Sequence, residues 1–148
     1  MTAKRKIFII LSWLMVAAIC IAIFWFSAQA AEESAEESGR LLEILSSIFG
    51  AGLTDFIIRK AAHMIEFAAL GFFTANAFFA LWGNKNVLLP ISAAFLYACT
   101  DEIHQYFVPG RACRLTDVFI DLAGIAIGAL VTFAIYKIVN RRKKNEIE

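Results

Sequence analysis

The residues from Ile7 to Ala28 carry no charge. As a helix they would extend about 33 Å, the thickness of a bilayer's hydrocarbon core. A stretch that long and that uniformly apolar has no polar face to turn toward water, so it is read as a membrane-spanning helix. It follows Lys4-Arg5-Lys6. Ala28-Gln29-Ala30 has the small-x-small form of a signal-peptide cleavage site, but the block is longer than a secretory apolar region of about 7–15 residues and contains Trp13 and Trp25. The expectation is an uncleaved anchor.

Three more apolar blocks follow, at about 61–82, 87–107 and 117–138. Their lengths suit membrane crossings. With 60% hydrophobic and 18% charged residues in 148, the chain has room for one membrane domain, 1–148, and none for a separate soluble one. The predicted fold is an all-α membrane protein: a four-transmembrane-helix bundle with a short extracytoplasmic amphipathic segment. That segment begins with a tandem repeat, Ala31-Glu32-Glu33-Ser34 and Ala35-Glu36-Glu37-Ser38. The repeat stacks Glu32 on Glu36 and Glu33 on Glu37, which disfavours a helix. Leu41, Leu42, Ile44, Leu45, Ile48 and Phe49 then recur at helical spacing, as in a helix lying in the interface, and Gly50-Ala51-Gly52 is expected to end it. Gly83-Asn84-Lys85-Asn86 and Pro109-Gly110 read as turns.

Lys and Arg set the orientation. Nine fall on one side (Lys4, Arg5, Lys6, Lys85, Lys137, Arg141, Arg142, Lys143, Lys144) and five on the other (Arg40, Arg59, Lys60, Arg111, Arg114). Both termini are therefore expected in the cytoplasm. The net charge of +1 comes from basic residues at segment ends, not from a basic face, so nothing points to nucleic acid. Cys20, Cys99 and Cys113 show no metal spacing; the first two read as small core residues and the third as a free thiol.

The ionisable groups of the later helices gather at the outer level. Arg59, His63 and Glu66 share one helical face, with Lys60 beside them. The third block leaves through Asp101, Glu102, His104 and Gln105, with Tyr97, Asp101 and His104 on a common face. Asp101 and Glu102 point about 100° apart, so only one is expected to face the centre. The fourth enters with Asp117 and Asp121, in line with Gly124 and Gly128. A Gly-x-x-x-Gly pair permits close helix contact, so both aspartates are expected to point into the bundle, as charges at membrane depth do. Arg111 and Arg114, on a Pro-Gly loop, suit an anion or lipid headgroups. Four cations (Arg59, Lys60, Arg111, Arg114) and five carboxylates (Glu66, Asp101, Glu102, Asp117, Asp121) balance closely enough to form a mutual ion-pair network. His63 is open to three roles: general base, metal ligand or hydrogen-bond partner. The last is favoured because no His-x-x-x-His pair is present. Asn76 reads as an interhelical hydrogen-bonding residue.

Arg59-Lys60-Ala61-Ala62-His63 followed by Glu66, then Asp101-Glu102-Ile103-His104-Gln105 with Pro109-Gly110-Arg111, then Asp117-Val118 with Asp121, Gly124 and Gly128, resembles the VanZ-like family. Ser27-Ala28-Gln29 resembles its usual continuation of the first helix. The resemblance implies a bacterial cell-membrane protein with a role in the cell envelope. The founding member is associated with reduced susceptibility to the glycopeptide teicoplanin and is not one of the enzymes that remodel the peptidoglycan stem peptide. No reaction and no cofactor is implied.

Two functional expectations follow. In the first, an outward pocket binds an anionic envelope component or a lipoglycopeptide inserted in the outer leaflet. Arg59, Arg111 and Arg114 would hold the anion, positioned by Glu66, Asp101 and Asp121, with Lys60, His63, Glu102, Gln105 and Asp117 completing the site among membrane lipids. In this version Arg111→Ala leaves the protein folded and inactive. The second is an enzyme on a lipid-linked substrate, with His63, Glu66 and Asp101 as acid–base candidates or Asp101, Glu102 and Asp121 around a divalent cation. A scaffold held by its own ion pairs is a third reading. Transport is weaker, because no acidic relay crosses the membrane and no helical repeat appears.

Overall fold

A computed structural model describes residues 2–49, 54–82 and 86–145. Its five helices are α1 (Ala3–Ser27), α2 (Ala31–Phe49), α3 (Asp55–Trp82), α4 (Leu88–Tyr106) and α5 (Leu115–Asn145). Three are long and apolar enough to cross a membrane: α1, residues Phe56–Trp82 of α3 and Leu115–Arg142 of α5. The shorter α4 falls below that mark because its last turns carry Asp101, Glu102, His104 and Gln105. Pro90 sits in its first turn, where the missing N–H breaks no helical bond. The anticipated turns at 50–52 and 83–85 lie outside the described residues.

The contacts fix the helix directions. Positions 64, 68 and 72 of α3 meet positions 124, 128 and 132 of α5 in ascending order, so α3 and α5 run parallel. The first turn of α1 meets the last turn of α3, and the end of α4 meets the end of α1. Hence α1 and α4 run together, opposite to α3 and α5.

The α3–α5 seam is the tightest in the molecule. A Cβ on Gly128 would overlap the carbonyl of Ala68, one on Gly124 the carbonyl of Met64, and one on Gly71 the carbonyl of Ile125. These are backbone atoms on both sides, so the helices touch main chain to main chain, as small-residue membrane interfaces do. Further along, Asn76 Nδ2 donates to Phe72 O (2.9 Å) and to Thr132 Oγ1 (3.3 Å), and the Thr132 hydroxyl reaches Phe72 O and Gly128 O at 3.1 and 3.2 Å. Around the seam, Ile23, Phe67, Leu70, Ala94, Ala98 and Ile125 form the core where four helices converge. A second cluster, Ala75, Phe79 and Ala129, closes the other end beneath Ile91, Phe133 and Tyr136.

The outside of the bundle is apolar: Ile10, Leu14, Ile21 and Trp25 of α1 and Ile127, Leu130 and Ile138 of α5 are all exposed. A surface so greasy on every side suits hydrocarbon, not water. Arg5 closes the basic end: its Nε and Nη2 donate to Ala80 O at 3.2 and 3.0 Å, a cationic cap on the C-terminus of α3.

One expectation is corrected. The Glu-rich repeat is helical from Ala31 onward. Glu32 and Glu33 occupy the first turn, where the helix dipole favours carboxylates and offsets the i,i+4 repulsion. Pro109 O also accepts from Ala31 N–H (3.2 Å), and Gln29 Nε2 donates to Glu37 Oε1 (3.2 Å). The repeat and the Leu-rich stretch are thus a single α2, laid against α3.

Candidate functional site

The end of the bundle opposite Arg5 is built from five pieces of chain: the end of α1, α2, the start of α3, the end of α4 with its following loop, and the start of α5. Asp101 is 3% exposed. Its Oδ2 accepts from Ser27 Oγ (2.9 Å) and Gln105 Nε2 (2.8 Å), and Gln105 also reaches Ser27 Oγ at 3.3 Å. This buried triad ties α4 to α1. The same face carries Tyr97, whose hydroxyl donates to Cys20 O at 2.6 Å, and His104, stacked on Phe24. The shared face read from the sequence is the α1-facing side of α4.

Glu102 is buried as well, at 2%, against the expectation that only one of the adjacent pair faces inward. It points the other way around α4 and accepts from the backbone N–H of Arg114 (3.0 Å), the residue immediately before α5. Two inward directions exist because α4 has α1 on one flank and α5 with its leading loop on the other.

The loop returns to α1 through Arg111. Its Nε donates to Gln29 O (3.0 Å) and its Nη2 to Phe26 O (3.1 Å), the latter also accepting from Gln29 N–H, so the guanidinium ties the loop to the last turn of α1 and the residues just after it. Burial lowers the guanidinium's pKa from its ordinary value; Asp101, Glu66 and Glu102 oppose that shift and Arg59 adds to it. Arg111 therefore stands among three carboxyl groups and a second guanidinium. Gly110, with φ of 76°, makes the bend and passes against Ala31, a left-handed geometry that glycine adopts without strain.

Among the described residues one ion pair closes, Lys60 with Asp117, joining α3 to α5. The nine balanced charges do not form the extended network that their count allowed. Both partners are partly exposed, 22% and 15%, so the pair should contribute modestly. Lys60→Met is expected to cost about 0.5–1 kcal/mol in denaturant unfolding, and Asp117→Asn should add little in the double variant. Arg114 is exposed, and its side chain borders a shallow cleft with Lys60, His63 and Arg111. Asp121 is 1% exposed, and neither of its oxygens has a hydrogen-bond partner among the described residues; nor does Asp101 Oδ1. Asp121 is thus buried, as its alignment with Gly124 and Gly128 anticipated, whereas Asp117, expected to point inward with it, stays partly exposed and pairs with Lys60.

Arg59, His63 and Glu66 do share a face, and that face lines a cleft of about 170 Å³. Arg111 and Gln29 form another wall. The third wall is α2, through Ser34, Glu37, Ser38 and Leu41. That wall is the part sequence reasoning missed, because α2 had been placed in the interface as an isolated segment. Its Leu41 and Leu45 spacing signals an apolar face and cannot say which helix the face meets. Ser27 was noted only as part of a pattern, not as Asp101's partner. No hydrogen bond ties His63 to another described residue, so the hydrogen-bonded role favoured for it is not what the geometry displays.

A family model described as VanZ/LLP1 matches residues 11–138. The chain belongs to the VanZ-like family. In this VanZ-like protein the match runs from within α1 to within α5, so every wall of the cleft falls inside the family region. No curated protein and no solved structure gives a significant match.

Proposed function

We propose that this VanZ-like protein is a bacterial cell-envelope protein whose cleft faces outward and binds an anionic envelope component or lipoglycopeptide, lowering susceptibility to teicoplanin-type glycopeptides. In this reading α4 completes a four-span bundle. It runs antiparallel to α3 and hides its charged turns against α1 and α5, as ionisable groups at membrane depth do. Both termini then lie on the cytoplasmic side with the basic ends. The observation that carries the proposal is the cleft itself: two guanidinium groups, Arg59 and Arg111, on one cavity wall system with His63. Arginine's planar fork suits carboxylate and phosphate. Lys60 and Arg114 flank the opening, while Asp101, Glu102, Gln105, Asp117 and Asp121 position the helices.

The test is teicoplanin susceptibility in bacteria that express the wild type, His63→Ala or Glu66→Gln at matched membrane levels. Protection by the wild type, reduced at least fourfold in both variants, is the expected outcome. No protection by the wild type removes the glycopeptide role, and equal protection by both variants removes the cleft as its site.

A second reading has one observation in its favour. His63 and Glu66 stand in the same cleft, a pairing suited to acid–base work on a lipid-linked substrate. Turnover of such a substrate by purified protein, abolished by Glu66→Gln, would separate an enzyme from a binding protein.

A further inference from the structure

The polar cleft has an apolar neighbour. Between α2 and α3 lies a groove of about 390 Å³, lined by Leu41, Leu45, Ile57, Ala61 and Ile65 among others. Leu41, Ile58, Ala62 and Glu66 line both spaces. On α3 the stripe Ile58–Ala62–Glu66 recurs every four residues and so marks one line along the helix. Arg59 and His63 lie to one side of that line, on the cleft; Ile57, Ala61 and Ile65 lie to the other, in the groove. Leu41 of α2 roofs the boundary. The groove opens at the outer surface of the bundle, where Ile57, Ile65 and Leu41 are 46%, 66% and 44% exposed. Its α3 wall spans eight residue steps, roughly 12 Å, and each wall is a single helix face, which fits one hydrocarbon chain lying along it.

Charge and polarity thus change across one helix line at one membrane level. A soluble anion would use only the cleft. A membrane-resident amphiphile would use both, with its anionic head on Arg59 and its chain in the groove, entering sideways from the leaflet. Resting on the binding reading above, we infer that the site takes a single-chain anionic amphiphile that enters laterally from the lipid between α2 and α3. The hydrocarbon chain supplies placement more than affinity, because a chain leaving lipid for a groove gains no hydrophobic energy. Selectivity comes from presenting the head at the depth of Arg59.

The experiment uses full-length protein in nanodiscs of zwitterionic phosphatidylcholine. The probe is a monoacyl glycerol phosphate with a diazirine in its chain, and crosslinked residues are mapped by mass spectrometry. Expected are crosslinks at Ala61, Ile65 or Leu45, competed by unlabelled probe and at least tenfold less by glycerol phosphate or by an uncharged monoacylglycerol. A fatty acid as competitor distinguishes a carboxylate head from a phosphate one. Ala61→Trp, and Ile57→Trp at an exposed position that tolerates bulk, should each cut labelling at least fivefold while Arg59 remains in place. Competition by glycerol phosphate as strong as by the amphiphile overturns lateral entry and leaves the anion-binding reading standing. Labelling unchanged in Arg59→Ala, or equal competition by the uncharged lipid, overturns the anion-binding reading itself. Labelling outside the groove, or unchanged in both tryptophan variants, overturns the groove.

Discussion

Gly128→Leu is expected to abolish the folded bundle. The new side chain would start inside the carbonyl of Ala68 and press on the backbone of Phe72. No rotamer change relieves an overlap with main chain, so α3 and α5 must separate. Separation breaks the Asn76–Thr132 and Thr132–Phe72 hydrogen bonds and opens the core around Phe67 and Ile125. Overpacking alone costs about 1–3 kcal/mol, and the lost seam adds to it, enough to exceed the stability of a small domain when combined. Gly39→Ala is the control. It sits inside α2 with nothing near its Cβ direction, and replacing a mid-helix glycine should stabilise by about 0.5–1 kcal/mol. Unfolding followed by circular dichroism in detergent micelles reads both. If Gly128→Leu unfolds at the wild-type midpoint, the α3–α5 seam is not as described.

The second large effect separates the two arginines of the cleft. Arg111→Ala should lose protection and stability together, whereas Arg59→Ala should lose protection alone. Arg111 holds Phe26 O and Gln29 O, and a hydrogen bond to a charged group is worth about 1.5–3 kcal/mol, more where the partner is left unsatisfied. A drop of about 2–4 kcal/mol is expected for Arg111→Ala. Arg59 lines the cleft, and its removal is expected to change unfolding by about 0.5 kcal/mol or less. This replaces the sequence-based expectation that Arg111→Ala leaves the fold untouched. Susceptibility assays paired with unfolding midpoints decide it; wild-type stability in Arg111→Ala would show that the cap on α1 is dispensable.

What the sequence conveyed, and what it did not, follows from the range of each interaction. Periodicity reports a helix and its faces because i, i+4 and i+7 are set by helix geometry. So the shared face of Arg59, His63 and Glu66 was legible, as was the inward stripe of Asp121, Gly124 and Gly128; Asp117, also expected inward, instead stays partly exposed and pairs with Lys60. Gly71 completes that seam from the α3 side and went unread, since a lone glycine has no spacing to mark it. Pairings between distant segments leave no local trace. Ser27 with Asp101, Arg5 with Ala80 and Arg111 with Gln29 lie 74, 75 and 82 positions apart. Charge counting failed for the same reason: it gives totals, and an ion pair needs proximity. The helical start of α2 was misread because neighbour repulsion was weighed without the dipole of the helix that would contain it.

Those separations also set a timetable for biogenesis. Ser27 and the Phe26 and Gln29 carbonyls at the end of α1 leave the ribosome long before Asp101 and Arg111 exist. At about 5–20 residues per second, the 82 positions between Gln29 and Arg111 amount to roughly 4–16 s. Through that interval α1 can already meet α3, whose last turn Arg5 caps, but lacks the partners that later fix its C-terminal end. Its hydroxyl and carbonyls meanwhile depend on interfacial water. Nascent chains arrested before residue 101 should therefore leave the C-terminal end of α1 accessible to membrane proteases and insertion chaperones, and chains long enough to release the 107–114 loop from the ribosome should lose that accessibility.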